Sequence, residues 1–127
     1  MKLEVKDGIP QVTWKYYEDD FFDRHLVHEV LEKWAKEKPN EIAFLSMNTE
    51  QEFTWKEFDE ASTALAYKLI EMGIDKGDFV ATSLPFLPEH VFLEYACFKI
   101  GAIIVPLDLR LKPNEVLRCL ELVKAKV

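Results

Sequence analysis

The side chains of this sequence best suited to acid–base, nucleophilic or metal chemistry are three histidines and two cysteines, joined by a few polar residues that follow apolar runs. His25 and His28 stand three apart in a helical pattern, a spacing that puts two imidazoles on one face. The third histidine, His90, is distant in sequence and no HExxH is present. The pair therefore reads as a helix's solvent face rather than half of a metal centre. Cys97 and Cys119 both fall inside apolar helical patterns and form no CxxC, so both read as small buried hydrophobes. Cys119, among Leu117, Leu120 and Leu122, reads as a structural thiol and not a nucleophile. Ser83 follows a strand pattern, but ATSLP is not G-x-S-x-G and gives no nucleophile elbow. Glu89 and His90 open a helix behind Pro88, where Glu89 is explained by the helix dipole. Asp108, Arg110 and Lys112 follow the apolar run 102–105.

The four glycines stand at 8, 73, 77 and 101. A phosphate-cradling loop needs several close together, so that backbone amides can approach the anion with no Cβ in the way. Neither GxxxxGK nor GxGxxG occurs, which excludes a nucleotide site of those types.

The elements that would position these residues are well punctuated. Residues 1–22 form an irregular or strand-like lead with five aromatics (Trp14, Tyr16, Tyr17, Phe21, Phe22), expected to pack across a body it does not itself build. Leu26, Val27, Val30, Leu31, Trp34 and Ala35 predict a helix over 23–38, ended by Pro39. IAFLSM (42–47) and EFTW (52–55) predict a hairpin. Thr54 and Glu57 form a capping box for a helix over 54–72, whose apolar stripe is Phe58, Ala61, Leu65, Leu69 and Met72. Gly73 is its left-handed stop, with Ile74 as the hydrophobic partner. FVATSL (79–84) predicts a strand covered on both faces. A deeply buried helix over 88–100 and a strand over 102–105 complete a βαβ unit with a right-handed crossover. A last helix runs from Pro113 to about Lys124, with Val116, Leu117, Leu120 and Val123 as its apolar stripe. If Ala125–Val127 begin another strand, the sheet is cut while being extended. The fold class is α/β, a partial doubly wound sheet with a βαβ unit. Ligands of such sheets lie beyond the carboxyl ends of the strands, which singles out the loops 85–88 and 106–112.

Composition narrows the function classes. The chain of 127 residues is 49% hydrophobic and 31% charged, as in a globular domain. Its net charge of −7 is confined to residues 1–60, which hold 15 acidic and 8 basic side chains, against 8 of each in 61–127. No basic stripe is present, so no nucleic-acid partner is expected. No apolar run is long enough for a membrane span, and no signal-peptide stretch opens the chain. With two cysteines outside any disulfide pattern, the expected location is cytoplasmic.

Four stretches together resemble one family. FTWKEF (53–58) is similar to the first core motif, L-T-Y-x-E-L, of the adenylate-forming superfamily. FKIGAIIVPLD (98–108) resembles its second, L-K-A-G-x-A-Y-V-P-I-D. GIDKGDFVATSLPFLPEHV (73–91) resembles the intervening G-V-x-K-G-D-x-V-A-x-x-L-P-N-x-P-E segment, and DLRLKPNEVLRCLEL (108–122) the helix that follows. The resemblance covers residues 25–127. It departs at Phe86, where the family has Asn, and at Ile104-Val105-Pro106, where it has Tyr-Val-Pro.

The resemblance implies an N-terminal fragment of the large AMP-binding domain of an acyl-CoA synthetase, with 1–22 as lead and 23–127 as body of a truncated first subdomain. The parent enzyme would activate a carboxylic acid with ATP and Mg²⁺ to an acyl-adenylate, then transfer it to CoA. The alternatives are an aryl-acid ligase, a peptide-synthetase adenylation domain, or a stand-alone interaction module with a borrowed fold. The family's phosphate loop and catalytic lysine have no match in residues 1–127. No catalytic and no metal-binding residue is therefore assigned, and the fragment alone is expected to be inactive and to bind no cofactor. Asp108 and Arg110 are the candidate cofactor-binding residues, because in some CoA ligases the loop after the second motif lies near the CoA nucleotide. The expected partners are the remainder of the parent chain and the acid substrate. Self-association through exposed edges is expected as well.

Overall fold

The computed structural model of the chain describes residues 4–6, 9–11 and 26–127. The aromatics of 12–25 and His25 lie outside them. The first described elements are strands β1 (Glu4–Lys6) and β2 (Ile9–Gln11), an antiparallel pair. Helix α1 (Val27–Glu37) follows, with Leu31 as its one buried side chain. Strands β3 (Ile42–Ser46) and β4 (Gln51–Thr54) form the expected hairpin, with a register shift between Ile42 and Phe44.

Helix α2 (Trp55–Glu71) starts at the predicted capping box. Glu57 N–H donates to Thr54 Oγ1 at 3.2 Å, and Thr54 N–H donates to Glu57 Oε2 at 2.9 Å, so two orphan amides of the first turn are satisfied. The buried stripe is rotated from the expected one: it runs Phe58, Ser62, Ala66 and Leu69, while Met72 is exposed. Small side chains at 62 and 66 bring α2 close to Ala96 and Cys97 of α3 (Pro88–Ile100). The Ser62 hydroxyl turns back to donate to Asp59 O at 3.1 Å, so it is buried at no polar cost. The chain then closes at Gly73 (φ +85°). Gly73 N–H donates to Ile70 O and Ile74 N–H to Leu69 O, the two bonds of a Schellman motif, and Ile74 is driven into the core.

Strand β5 spans Phe79–Thr82, two residues shorter than expected. Its parallel partner is β6 (Ile103–Pro106), and beyond Thr82 the chain leaves the pair, with Ser83 and Leu84 exposed on the way to Pro85. Helix α3 crosses between the two strands, begins at Pro88 and ends at Gly101 (φ +72°). Its expected deep burial is partial: five of its residues are buried, and Glu89 alone is exposed. On the other side of β5, Lys126 N–H donates to Phe79 O at 2.9 Å and Ala81 N–H to Val127 O at 2.7 Å. Residues 125–127 form no strand of their own, and 126–127 lie against β5 through these two bonds.

Helix α4 (Pro113–Val123) has no buried residue. Its expected stripe is half-covered at Val116, Leu120 and Val123 and exposed at Leu117. Two apolar centres hold the body together. Ala66, Leu69, Ile74, Val80, Ala96, Cys97 and Ala102 join α2, α3 and the β5–β6 pair. Phe44, Phe53, Phe58, Phe92 and Tyr95 stack with centroids 4.7–6.0 Å apart and fasten the hairpin to both helices. No helix among the described residues is long and apolar enough to cross a membrane.

Candidate functional site

Two loops leave the carboxyl ends of the parallel strands: 83–87 after β5 and 107–112 after β6. They are held side by side at their roots, because Leu107 N–H donates to Thr82 O at 2.8 Å. This is where open parallel sheets bind ligands.

Asp108 and Arg110, the two residues singled out from sequence, occupy the second loop and face each other. Arg110 Nε lies 3.0 and 3.2 Å from the two carboxylate oxygens, Nη2 lies 2.6 Å from Oδ2, and the Arg110 N–H donates to Oδ1 at 2.9 Å. These hydrogen bonds from Arg110 hold the Asp108 carboxyl down at about 2, and the carboxylate in turn raises the guanidinium. Leu111 N–H donates to Asp108 O and closes the turn. Lys112 follows exposed. Its amide is capped by Glu115 Oε2 at 2.7 Å, which sets the start of α4. The loop therefore presents a paired guanidinium and an exposed ammonium to solvent.

The first loop carries Phe86, which is 77% exposed, and leads into the first turn of α3, where His90, given no role from sequence, is buried. His90 Nε2 sits 3.3 Å from Thr82 Oγ1, and Nδ1 is buried with no partner. The Phe86 ring stands edge-on to the imidazole, centroids 6.3 Å apart. The available signal was a histidine within PEHVFLEY, followed by the apolar run Val91-Phe92-Leu93. Its partner lies eight residues back on another element, beyond helical periodicity. Phe86, Leu87 and Val91 share an apolar recess of about 220 Å³ with Phe44, Leu45 and Met47.

A larger hollow of about 370 Å³ lies among α1, α2 and α3 and receives no residue from either loop. At its edge Lys99 is nearly covered, with Nζ 2.7 Å from Asp59 Oδ1 and 3.4 Å from Glu32 Oε1. One ammonium thereby ties three helices together, and the hollow reads as a packing feature.

The remaining sequence candidates divide. His28, expected on a solvent face, is mostly covered and stands 4.0 Å from Glu32. Cys97 is buried as expected, and burial pushes its thiol up to about 11, too high for a thiolate nucleophile. Cys119, expected to be buried, is only half-covered, because α4 packs against little. Ser83 is exposed. Among the described residues no three His, Cys, Asp or Glu are grouped to hold a metal ion. Among the described residues the glycines stand at 73, 77 and 101, all with positive φ, and none lies in either loop.

Comparison with known proteins converges on one family. Residues 31–127 match the family model described as "AMP-binding enzyme". The chain is 37% identical over 73 residues to the medium-chain fatty-acid–CoA ligase of Escherichia coli, which covers 58% of this chain and 13% of the ligase. Its fold matches the inhibitor-bound N-terminal domain of FACL13 from Mycobacterium tuberculosis with TM-score 0.75 and 31% identity, over 79% of this chain and 25% of that one. It also matches an artificially fused adenylation–PCP di-domain, NpsA-ThdA from Klebsiella oxytoca, with TM-score 0.72 and 26% identity, over 79% of this chain and 19% of that one. The chain spans only 2% to 14% of the length of the curated relatives it matches.

Proposed function

Because the chain belongs to the family of AMP-binding enzymes, we propose that it supplies scaffold for an acyl-CoA synthetase reaction. A carboxylic acid is activated with ATP and Mg²⁺ to an acyl-adenylate and pyrophosphate, and the acyl group passes to the thiol of CoA. Residues 107–112 contribute a wall near the CoA nucleotide, with Asp108 and Arg110 as its polar groups. The observation that carries this reading is the likeness to the FACL13 N-terminal domain across 79% of the chain.

The chain's own residues do limited work in this reaction. The described residues offer no metal-ligand cluster and no phosphate cradle, so no adenylation step is assigned to any of them. Helix α3 and the β5–β6 pair fix the two loops against each other. Arg110 and Lys112 place positive charge where a phosphate-bearing acceptor would approach. The family match over 31–127 supports taking 23–127 as the α/β body of the AMP-binding domain, with 1–22 as its lead.

Acid-dependent exchange of labelled pyrophosphate into ATP tests this reading. The 127-residue chain is expected to show none by itself, and exchange by the purified chain would refute the scaffold role. A second reading, an adenylation domain that passes its acyl group to a carrier-protein thiol, is favoured by the likeness to the NpsA-ThdA di-domain. Under it, CoA would give no protection or shift at residues 107–112 in nuclear magnetic resonance spectra of the chain.

A further inference from the structure

The contacts of Arg110 say more about the loop than its charge does. The guanidinium is a rigid fork of five N–H donors, and phosphates are recognised by two of them acting in parallel. Here the Nε and Nη2 edge is already spent on Asp108, with contacts of 3.0, 3.2 and 2.6 Å. The guanidinium is otherwise open, with 89% of the side chain exposed. A phosphate approaching Arg110 must displace the carboxylate from this edge, or settle for the other edge with a full negative charge beside it.

We propose that Asp108 is an internal competitor for Arg110, a carboxylate that occupies the phosphate-binding edge of the guanidinium in the free protein and weakens the hold on a phosphate-bearing ligand. This rests on the reading that loop 107–112 meets a nucleotide phosphate. The two residues then have opposed roles. Arg110 makes the contact, and Asp108 presets its orientation and limits its strength. An exposed pair of this kind is weak, so a phosphate can make the exchange. The carboxylate also anchors the turn through the Arg110 amide, at 2.9 Å, so it cannot swing far away and stays near the incoming anion. Removing the charge relieves both the competition and the repulsion, which corresponds to about three- to tenfold tighter binding for charges several ångströms apart near a protein surface.

The test is a calorimetric or magnetic-resonance titration of the chain with adenosine 3′,5′-bisphosphate at low salt, with ATP titrated in parallel. Asp108→Asn keeps an acceptor for the Arg110 amide and so preserves the turn. Asp108→Ser is the second variant, and both are checked by thermal unfolding. The expected result is tighter binding by Asp108→Asn, weaker binding by Arg110→Ala, and a smaller gain from Asp108→Asn when Arg110 is already alanine. A preference for the bisphosphate over ATP would place the phosphate on the CoA side, and the reverse on the ATP side, with the competition upheld in either case. If Arg110→Ala weakens binding while Asp108→Asn leaves it unchanged or weaker, the competition is overturned and the binding loop stands. If neither protein binds, or neither substitution matters, the reading of the loop fails and the competition with it.

Discussion

The two glycines that end α2 and α3 allow one stability prediction to be worked from geometry. Gly73 and Gly101 both have positive φ, +85° and +72°, and both sit in Schellman motifs. Alanine at either pays the left-handed penalty of about 1–2 kcal/mol, offset by about 0.4–1 kcal/mol from the stiffer unfolded chain. Gly73→Ala should therefore cost about 1 kcal/mol, since a Cβ there meets nothing within 4 Å. At Gly101 the new Cβ would lie 2.9 Å from Lys76 Cγ. The lysine stem must leave its rotamer, which adds roughly 0.5–1.5 kcal/mol. Urea unfolding reads the difference: with a slope of about 2 kcal/mol per molar, the midpoint falls by about 0.5 M for Gly73→Ala and by more for Gly101→Ala. Lys76→Ala removes Cγ and Cδ and leaves Cβ at 3.6 Å, an ordinary contact. In that background Gly101→Ala should cost no more than Gly73→Ala. An excess that persists without the Lys76 stem, or Gly101→Ala as stable as the parent protein, would refute the reasoning.

Three further outcomes are expected. Lys99→Met keeps the aliphatic stem but leaves Asp59 and Glu32 without their shared cation. Since both carboxylates are partly solvated, the loss should be about 1–2 kcal/mol rather than the larger cost of a fully buried pair, and Asp59→Asn in the same chain should recover part of it in urea unfolding. The Asp108 carboxyl, held at about 2 by Arg110, should rise in Arg110→Ala but stay below the ordinary carboxylate value when titrated by carbon-detected magnetic resonance, because the amide of residue 110 still donates to Oδ1. A depressed carboxyl stabilises the fold above its unfolded value and loses that contribution as pH falls through its folded one, so the variant should show a smaller stability decline between about pH 4 and pH 2 than the parent does. Leu109, Leu117 and Leu122 are 55%, 57% and 82% exposed. Light scattering should show mass rising with concentration, and Leu117→Lys with Leu122→Lys should reduce the rise. A constant monomer mass for the parent chain would refute association through these exposed leucines.

What could be read from sequence was what local chemistry decides. Thr54 and Glu57 are three residues apart and need nothing else to cap α2. Gly73 and Gly101 mark helix ends because few other residues accept their backbone angles. The parallel pairing of β5 with β6 followed from a helix of the right length between two apolar runs. The misplacements came from partners far away in sequence. The buried face of α2 turned towards Ser62 and Ala66 because α3 approaches there, and α3 lies 30 residues downstream. Lys99 drew no notice in the sequence, because its partners Glu32 and Asp59 lie 67 and 40 residues away. At the candidate site, Asp108 and Arg110 were found by resemblance, and their mutual pairing emerged only from the backbone turn between them.

Helix α4 and its two attachments have a consequence for the order in which the molecule opens. The helix buries none of its side chains and is held at one end by the turn after β6 and at the other by two backbone bonds from 126–127 to β5. Its amides should exchange with deuterium through a local opening that leaves Val80, Ala96 and Cys97 closed, well before the central residues exchange. The helix is then a built-in reporter. Anything that covers its apolar face, whether a second copy or further polypeptide, will register as slower exchange at residues 116–123 while the protection of the core stays as it was.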